Sequence, residues 1–349
     1  MTDTTDLEKQ VAEFRVRLFL SVDLSGSTAF KISEFGETRE QGSAAPRWVS
    51  HFEQFYINFP DKFKTNYQLM TEKFEGEDLC PQLWRTAGDE LVFCGRVTNQ
   101  RSILMMLEAF IVTISEFRKN YFGKNVSLDL KGAAWVATFP EPNRSIQVLR
   151  SSEKLQFVTA SEALEREADL NPFECDFQGK SMDTGFRVAH IARPERFTLS
   201  VQLARIVLNS PPKYVFSRDI RLDEPVVLKG VNGGMPYPVL FIDTMEHLSS
   251  AGVKTMERAL LGRAEAPDGE DLERYLRSYC AEVGTELVSL PRCSSFGPIQ
   301  PSKSYLLHKS KISDHLLNLV SHSQGEEQDG ETDGSATDLE VKGTLRPLS

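Results

Sequence analysis

At 349 residues, 40% of them hydrophobic, the chain is long enough to bury one large core or two modest ones. Its net charge of −10 is concentrated near the C-terminus, where Glu326, Glu327, Asp329, Glu331, Asp333, Asp338 and Glu340 follow one another with no base between them. The rest of the chain is nearly balanced, which argues against a nucleic-acid-binding surface.

Residues 1–14 read as a polar lead-in. Arg15 to Asp23 reads as a strand, with Phe19, Leu20 and Val22 making it apolar on both faces. Trp48 to Asn58 carries Trp48, Phe52, Phe55 and Tyr56 at helical spacing; such a stripe is usually core, with the ring at its end in reach of a base. Leu83-Trp84-Arg85 and Leu91-Val92-Phe93 flank a hairpin turn, and Ser102 to Arg118 is an apolar-rich helix. Val126 to Phe139 reads as a long strand that closes a hairpin with Gln156 to Thr159 or its neighbours. Pro140-Glu141-Pro142-Asn143 opens a looser region reaching about Pro172. Met182 to Arg193 is helical and Pro194 ends it. Phe197 to Asn209 is a strand–helix unit, and Val226 to Lys229 and Tyr237 to Asp243 are late strands around Gly233-Gly234.

Beyond Met245, helical spacing returns over Val253–Arg263 and Asp271–Leu287, separated by a linker at Ala266-Pro267-Asp268-Gly269, and Cys293 to Ser302 is loop. After His322 the chain is poor in apolar residues, so disorder is expected. The alternation predicts an α/β domain over residues 15–245: a ferredoxin-like βαββαβ core with additions, its antiparallel-rich sheet covered by helices. A mostly helical extension (246–322) and an acidic tail (323–349) follow.

The five cysteines, Cys80, Cys94, Cys175, Cys280 and Cys293, are odd in number and form no close pair, so neither a disulfide framework nor a zinc ribbon is indicated. Cys175 reads as a small buried filler. With a polar, acidic N-terminus and no apolar stretch approaching membrane-spanning length, a cytoplasmic protein without a membrane partner is expected. The histidines, His51 and His190 included, have no ligand spacing and read as structural.

Three stretches carry chemistry. Asp23 ends the first apolar strand and is followed by Leu24-Ser25-Gly26-Ser27-Thr28, a hard ligand at a strand end with a small-residue turn beyond it. Asp89 sits in Arg85-Thr86-Ala87-Gly88-Asp89. Each alone also suits a plain turn or a helix cap. Together, carboxylates for Mg²⁺ or Mn²⁺ and backbone N–H groups for phosphate suggest chemistry on a nucleoside triphosphate. The third stretch places Asp176, Gly179, Asp183 and Arg187 at offsets 0, 3, 7 and 11, with Asp183 and Arg187 on one helix face.

In these stretches the chain resembles the class III nucleotidyl cyclases. Asp23 to Thr28 is similar to their first metal motif and Arg85 to Asp89 to their second. Asp176 to Arg187 is similar to the third, with Asp183 where Asn is usual. Val226-Val227-Leu228-Lys229-Gly230 resembles a later strand whose Lys reaches the triphosphate. Arg85 stands where adenylate cyclases carry Lys and guanylate cyclases Glu. With Ala-Gly-Asp-Glu-Leu-Val-Phe around Asp89, the chain looks most like the bacterial pyrimidine cyclases of the Pycsar anti-phage system.

The resemblance implies conversion of UTP to cyclic UMP and diphosphate by two-metal catalysis, as an antiviral messenger read by a separate cyclic-nucleotide-binding effector. Asp23, the Leu24 carbonyl and Asp89 would hold two Mn²⁺ or Mg²⁺ ions. Ser25, Gly26, Ser27 and Thr28 would cradle phosphates, Lys229 would hold the terminal ones, and Arg187 would meet charge on the α-phosphate. Asp183 would orient the ribose or act through a neighbour. Arg85 and Asp176 would read the base: Arg only donates and Asp accepts, which complements the O4/N3–H edge of uracil and leaves CTP and ATP open. Family geometry implies a homodimer with composite sites. Cytidylate cyclase, adenylate cyclase and a nucleotide-binding regulatory pseudoenzyme are the alternatives.

Overall fold

The computed structural model describes residues 12–37, 47–72, 74, 78–122, 128–150, 155–159, 161–210, 216–245, 251–292 and 298–314. The acidic tail, and with it the expectation of disorder, lies outside the described residues.

The first strand, β1 (Arg15–Ser25), is the spine of the molecule. Its even-numbered residues Val16, Leu18, Leu20, Val22 and Leu24 face the larger core, and its odd-numbered residues face the other side. Beyond the turn at Gly26 comes α1 (Ser27–Glu37), then α2 (Arg47–Thr71). The helix expected to stop at Asn58 runs on through Pro60, because Phe59, Phe63 and Tyr67 continue the apolar stripe of Phe52 and Phe55 against the sheet. Each ring buried this fully contributes roughly 2–3 kcal/mol.

The hairpin β2 (Gln82–Ala87) and β3 (Glu90–Val97) forms as expected, with Gly88 at φ 65° in its turn. Helix α3 (Gln100–Phe117) starts at an Asn99 cap and leads through a π turn, Arg118–Phe122, toward β4 (Asp129–Phe139).

Two expectations are corrected in the middle of the chain. Strand β4 pairs with β1 and β8, not with residues 156–159. The region after Pro142 holds regular structure: β5 (Arg144–Arg150), β6 (Leu155–Thr159), α4 (Glu162–Leu170) and β7 (Cys175–Gln178), the strands forming a separate sheet in the order β6-β5-β7. Helix α5 (Lys180–His190) follows, then β8 (Arg196–Leu199) and α6 (Val201–Leu208).

Strands β9 (Ile220–Val226) and β10 (Tyr237–Asp243) complete a seven-stranded sheet in the order β2-β3-β1-β4-β8-β10-β9. Among the described residues only the β4–β8 contact is parallel, so the fold is the α/β, antiparallel-rich sheet that the pattern implies. The late strand expected at 226–229 instead ends at Val226.

The second face of the sheet holds a smaller core around Phe19, Trp84, Trp135 and Phe177. Here β1 presents two arginines where apolar residues would be expected. Arg17 pairs with Glu165 at 2.7 Å and Asp169 at 2.6 Å, and Arg15 with Glu162 and Asp169. These pairs bind α4 to the sheet. Buried charge is tolerated because each guanidinium is matched in place.

Helices α7 (Ala251–Leu260) and α8 (Gly269–Glu282) come next, and residues 303–314 are helical. Asp268, placed in the expected linker, caps α8 through the Glu270 and Asp271 amides. Leu272, Leu276, Tyr279 and Cys280 of α8 belong to the main core. Among the described residues no helix is long and apolar enough to cross a membrane.

Candidate active site

The two aspartates of the sequence motifs meet at one end of the sheet. The amide of Leu24 donates to the Asp89 carbonyl at 3.2 Å, and the Ser27 hydroxyl donates to Asp89 Oδ2. The Tyr56 hydroxyl donates to the Gly88 carbonyl and fixes the hairpin turn from the α2 side. Tyr56 lies mid-helix, half-buried against the main core, and its hydroxyl end reaches the turn. Gly26 allows the tight exit from β1 with φ 86°, and the Phe30 amide bonds its carbonyl as α1 begins.

Register explains what surrounds Asp23. It lies opposite Glu90 on β3 and opposite Lys131 on β4. Directly opposed residues share a face, so a carboxylate, a carboxylate and an ammonium stand in a row. Asp23 Oδ2 is 2.7 Å from Lys131 Nζ. Asp23 Oδ1 is buried and finds no partner among the described residues. Glu90 accepts from the Ser21 hydroxyl at 2.5 Å. Burial pushes the Asp23 carboxyl above its ordinary value, with Lys131 opposing the rise and the Asp89 charge adding to it. Burial does the same to Glu90, the Ser21 bond opposing and Asp23 adding.

Asp23, Glu90, Lys131, Arg187 and His190 line one cleft of about 230 Å³. Arg187 therefore shares a cleft with Asp23 within a single chain. His190, read as structural in the sequence, lines it too. Asp183 is exposed in the first turn of α5.

The approach of α5 depends on two glycines. A Cβ on Gly179, at φ 136°, would come within 2.5 Å of Asn143 Oδ1, the atom that accepts from the Ser181 amide and caps the helix from another part of the chain. A Cβ on Gly185 would come within 2.4 Å of Trp135. Trp135 in turn stacks on Phe19 at 5.5 Å.

The pair expected to read the base also comes together. Arg85 Nη1 is 3.8 Å from Asp176 Oδ1, and both side chains are about 40% exposed. The Arg85 guanidinium lies 4.3 Å from the Trp84 ring and 4.5 Å from the Phe186 ring. Cys175 beside it is buried as expected, its carbonyl accepting from Trp84 Nε1.

Lys229 is not brought to the cleft of its own chain. It is exposed in the turn after β9, which lies four places from β1 in the sheet. That is roughly 19 Å at ordinary strand spacing.

The residues present suit a hard divalent cation. Asp23 offers an unpaired buried oxygen and Asp89 lies beside it, both hard oxygen donors. Among the described residues no three His, Cys, Asp or Glu side chains converge to form a complete metal set. Magnesium-type sites commonly use one or two carboxylates, with substrate phosphates and water completing the shell.

No protein-family model matches the chain, and no curated protein does. Solved structures similar to it include an adenylyl cyclase from P. aeruginosa, with 8% identity, 66% of this chain and 94% of that chain covered, and a TM-score of 0.38. A guanylate cyclase domain from Catenaria anguillulae, solved in complex with GTP, has 11% identity, coverage of 66% and 98%, and a TM-score of 0.38. A bacterial light-regulated adenylyl cyclase has 9% identity, coverage of 70% and 98%, and a TM-score of 0.36. At these identities and TM-scores the likeness carries no assignment, and the functional reading rests on the chain's own residues.

Proposed function

We propose that the chain is a nucleotidyl cyclase that converts UTP to 3′,5′-cyclic UMP and diphosphate. The observation that carries this reading is the union of Asp23 and Asp89 at one sheet end, beside a cleft that also contains Arg187. In the reaction the ribose 3′-oxygen bonds the α-phosphorus as the bond to diphosphate breaks, and the hydroxyl proton is released. Bound Mn²⁺ or Mg²⁺ supplies acidification of the 3′-hydroxyl and neutralisation of the polyphosphate. Asp23 and Asp89, with the Leu24 carbonyl, would hold the ions.

Ser25, Gly26 and Thr28 offer turn amides to phosphate, whereas the Ser27 hydroxyl is already engaged with Asp89. Arg187 stabilises charge on the α-phosphate, and Asp183 orients the ribose. Arg85 donates to the base and Asp176 accepts from it. Their mutual contact is long and open to solvent, which leaves both groups available to a ligand.

The active form is a homodimer with composite sites, in which Lys229 and the exposed groups of α5 serve the partner's substrate. The shared cleft of Asp23 and Arg187 favours one second reading, a site completed within one chain. The product serves as an antiviral messenger for a separate effector. CTP is the next candidate substrate, then ATP.

The test is incubation of the full chain with each of the four ribonucleoside triphosphates and Mn²⁺, with products identified by mass. Cyclic UMP is expected, and it should vanish in EDTA and in folded Asp23→Ala and Asp89→Ala variants. Cyclic AMP or GMP as the main product would overturn the base assignment alone. No cyclic product with any triphosphate favours the regulatory pseudoenzyme.

A further inference from the structure

Lys131 belongs to none of the motifs, yet it makes the closest charged contact to Asp23. The β1–β4 register sets the two residues directly opposite. Their contact is 2.7 Å, and the side chains are only 25% and 23% exposed. The ammonium thereby occupies one carboxylate oxygen, while the other is buried without a partner among the described residues. Such a pair is screened less than a surface pair.

A divalent ion that needs Asp23 must compete with this ammonium. An ion arriving alone regains few ligands from the protein, since no three acidic, His or Cys side chains among the described residues form a set. An ion arriving with a triphosphate brings phosphate oxygens and negative charge. The displaced ammonium can then pair with phosphate as a point charge.

We propose that Lys131 is a built-in competitor for the Asp23 metal position, which keeps divalent-ion affinity low in the nucleotide-free chain and couples ion binding to the triphosphate. This inference rests on the metal-dependent reading of the site given above. Lys131 acts on the ion through Asp23, so its test reads metal binding rather than turnover.

The experiment titrates the full chain with Mn²⁺ alone, measuring free Mn²⁺ by electron paramagnetic resonance. Wild type is compared with Lys131→Met, Lys131→Gln, Lys131→Arg and the double variant Lys131→Met/Asp23→Ala, each checked for a cooperative thermal transition. Lys131→Met and Lys131→Gln should bind Mn²⁺ at least tenfold more tightly than wild type. Lys131→Arg should stay close to wild type, and the double variant should lose the gain. Equal or weaker binding in both neutral variants overturns the proposal.

A parallel titration with 3′-deoxy-UTP, which cannot cyclise, separates the two readings. If Mn²⁺ binds with the triphosphate but Lys131 substitution changes nothing, only the Lys131 proposal falls. If Mn²⁺ binds neither wild type nor any variant in either titration, the metal-dependent reading falls with it.

Discussion

Arg85 on β2 and Asp176 on β7 face each other at 3.8 Å across the junction of the two sheets, the guanidinium lying against Trp84 and Phe186. Because the pair is half exposed, it adds little to stability, and its removal should register in recognition instead. Arg85→Ala is expected to lower selectivity for the preferred triphosphate by roughly tenfold or more, since a ligand acceptor is left unpaired. Competition among the four triphosphates measures this, and unfolding should shift only slightly. Unchanged selectivity would remove Arg85 from base reading.

The proposed composite sites make a quantitative prediction. Asp23→Ala mixed with Arg187→Ala, after subunit exchange, gives heterodimers in half of the population, each with one intact site of two. Activity should recover to about a quarter of wild type. A mixture that stays inactive despite proven exchange favours the single-chain site, in which Asp23 and Arg187 share one cleft.

Glu90 predicts a pH dependence. Burial holds its carboxyl above the ordinary value, so the folded chain binds this proton more tightly than the unfolded chain does. That contribution is fully present below the unfolded carboxyl pKa, about 4.3, and is lost as pH rises through the folded value. Glu90→Gln should therefore melt higher than wild type at neutral pH, and the difference should shrink as pH falls toward about 4. A difference that stays constant with pH in thermal unfolding would contradict this.

Gly185 fixes the height of α5 over the sheet. With an alanine Cβ 2.4 Å from a fully buried Trp135, the helix must lift or the indole must move. Overpacking of this kind costs about 1–3 kcal/mol. Gly185→Ala should lower the urea midpoint and, by displacing Arg187 two positions on, reduce kcat. Reduced stability with full kcat would show that the site tolerates movement of α5.

Legibility in the sequence followed how local each signal was. The apolar run ending at Asp23, the Gly88-Asp89 turn and the Asp183–Arg187 offset are read within one element, and those elements stand where expected. The pairing of β4 with β1 and β8 is set by distant residues, so its expected partner was wrong. Lys131 and Glu90 escaped for the same reason, since only strand register brings them beside Asp23. Strand β9 carries Arg221, Asp223, Glu224 and Pro225, a polar composition that an edge strand tolerates but that hides it from an apolar-run reading. The length of α2 was obscured by Pro60, which sits inside the helix without ending it, and the entry of β5 by Pro140 and Pro142, which lie in the turn between β4 and β5.

The way α8 sits on α6 bears on how the protein can be shortened. Arg205 bridges Glu273 at 2.9 Å, Asn232 donates to the Tyr279 hydroxyl at 2.8 Å, and Leu272 and Leu276 fill the core beneath. Trimming the chain after Met245, where the motif-bearing region ends, would strip this cover and leave α6 with a bare apolar flank. The expected product is an aggregating fragment rather than a minimal enzyme. Leu290 also fills the main core and Tyr305 is buried with its hydroxyl donating to the Ala12 carbonyl, so useful shortening begins only beyond Tyr305 in any expression or domain-fusion experiment.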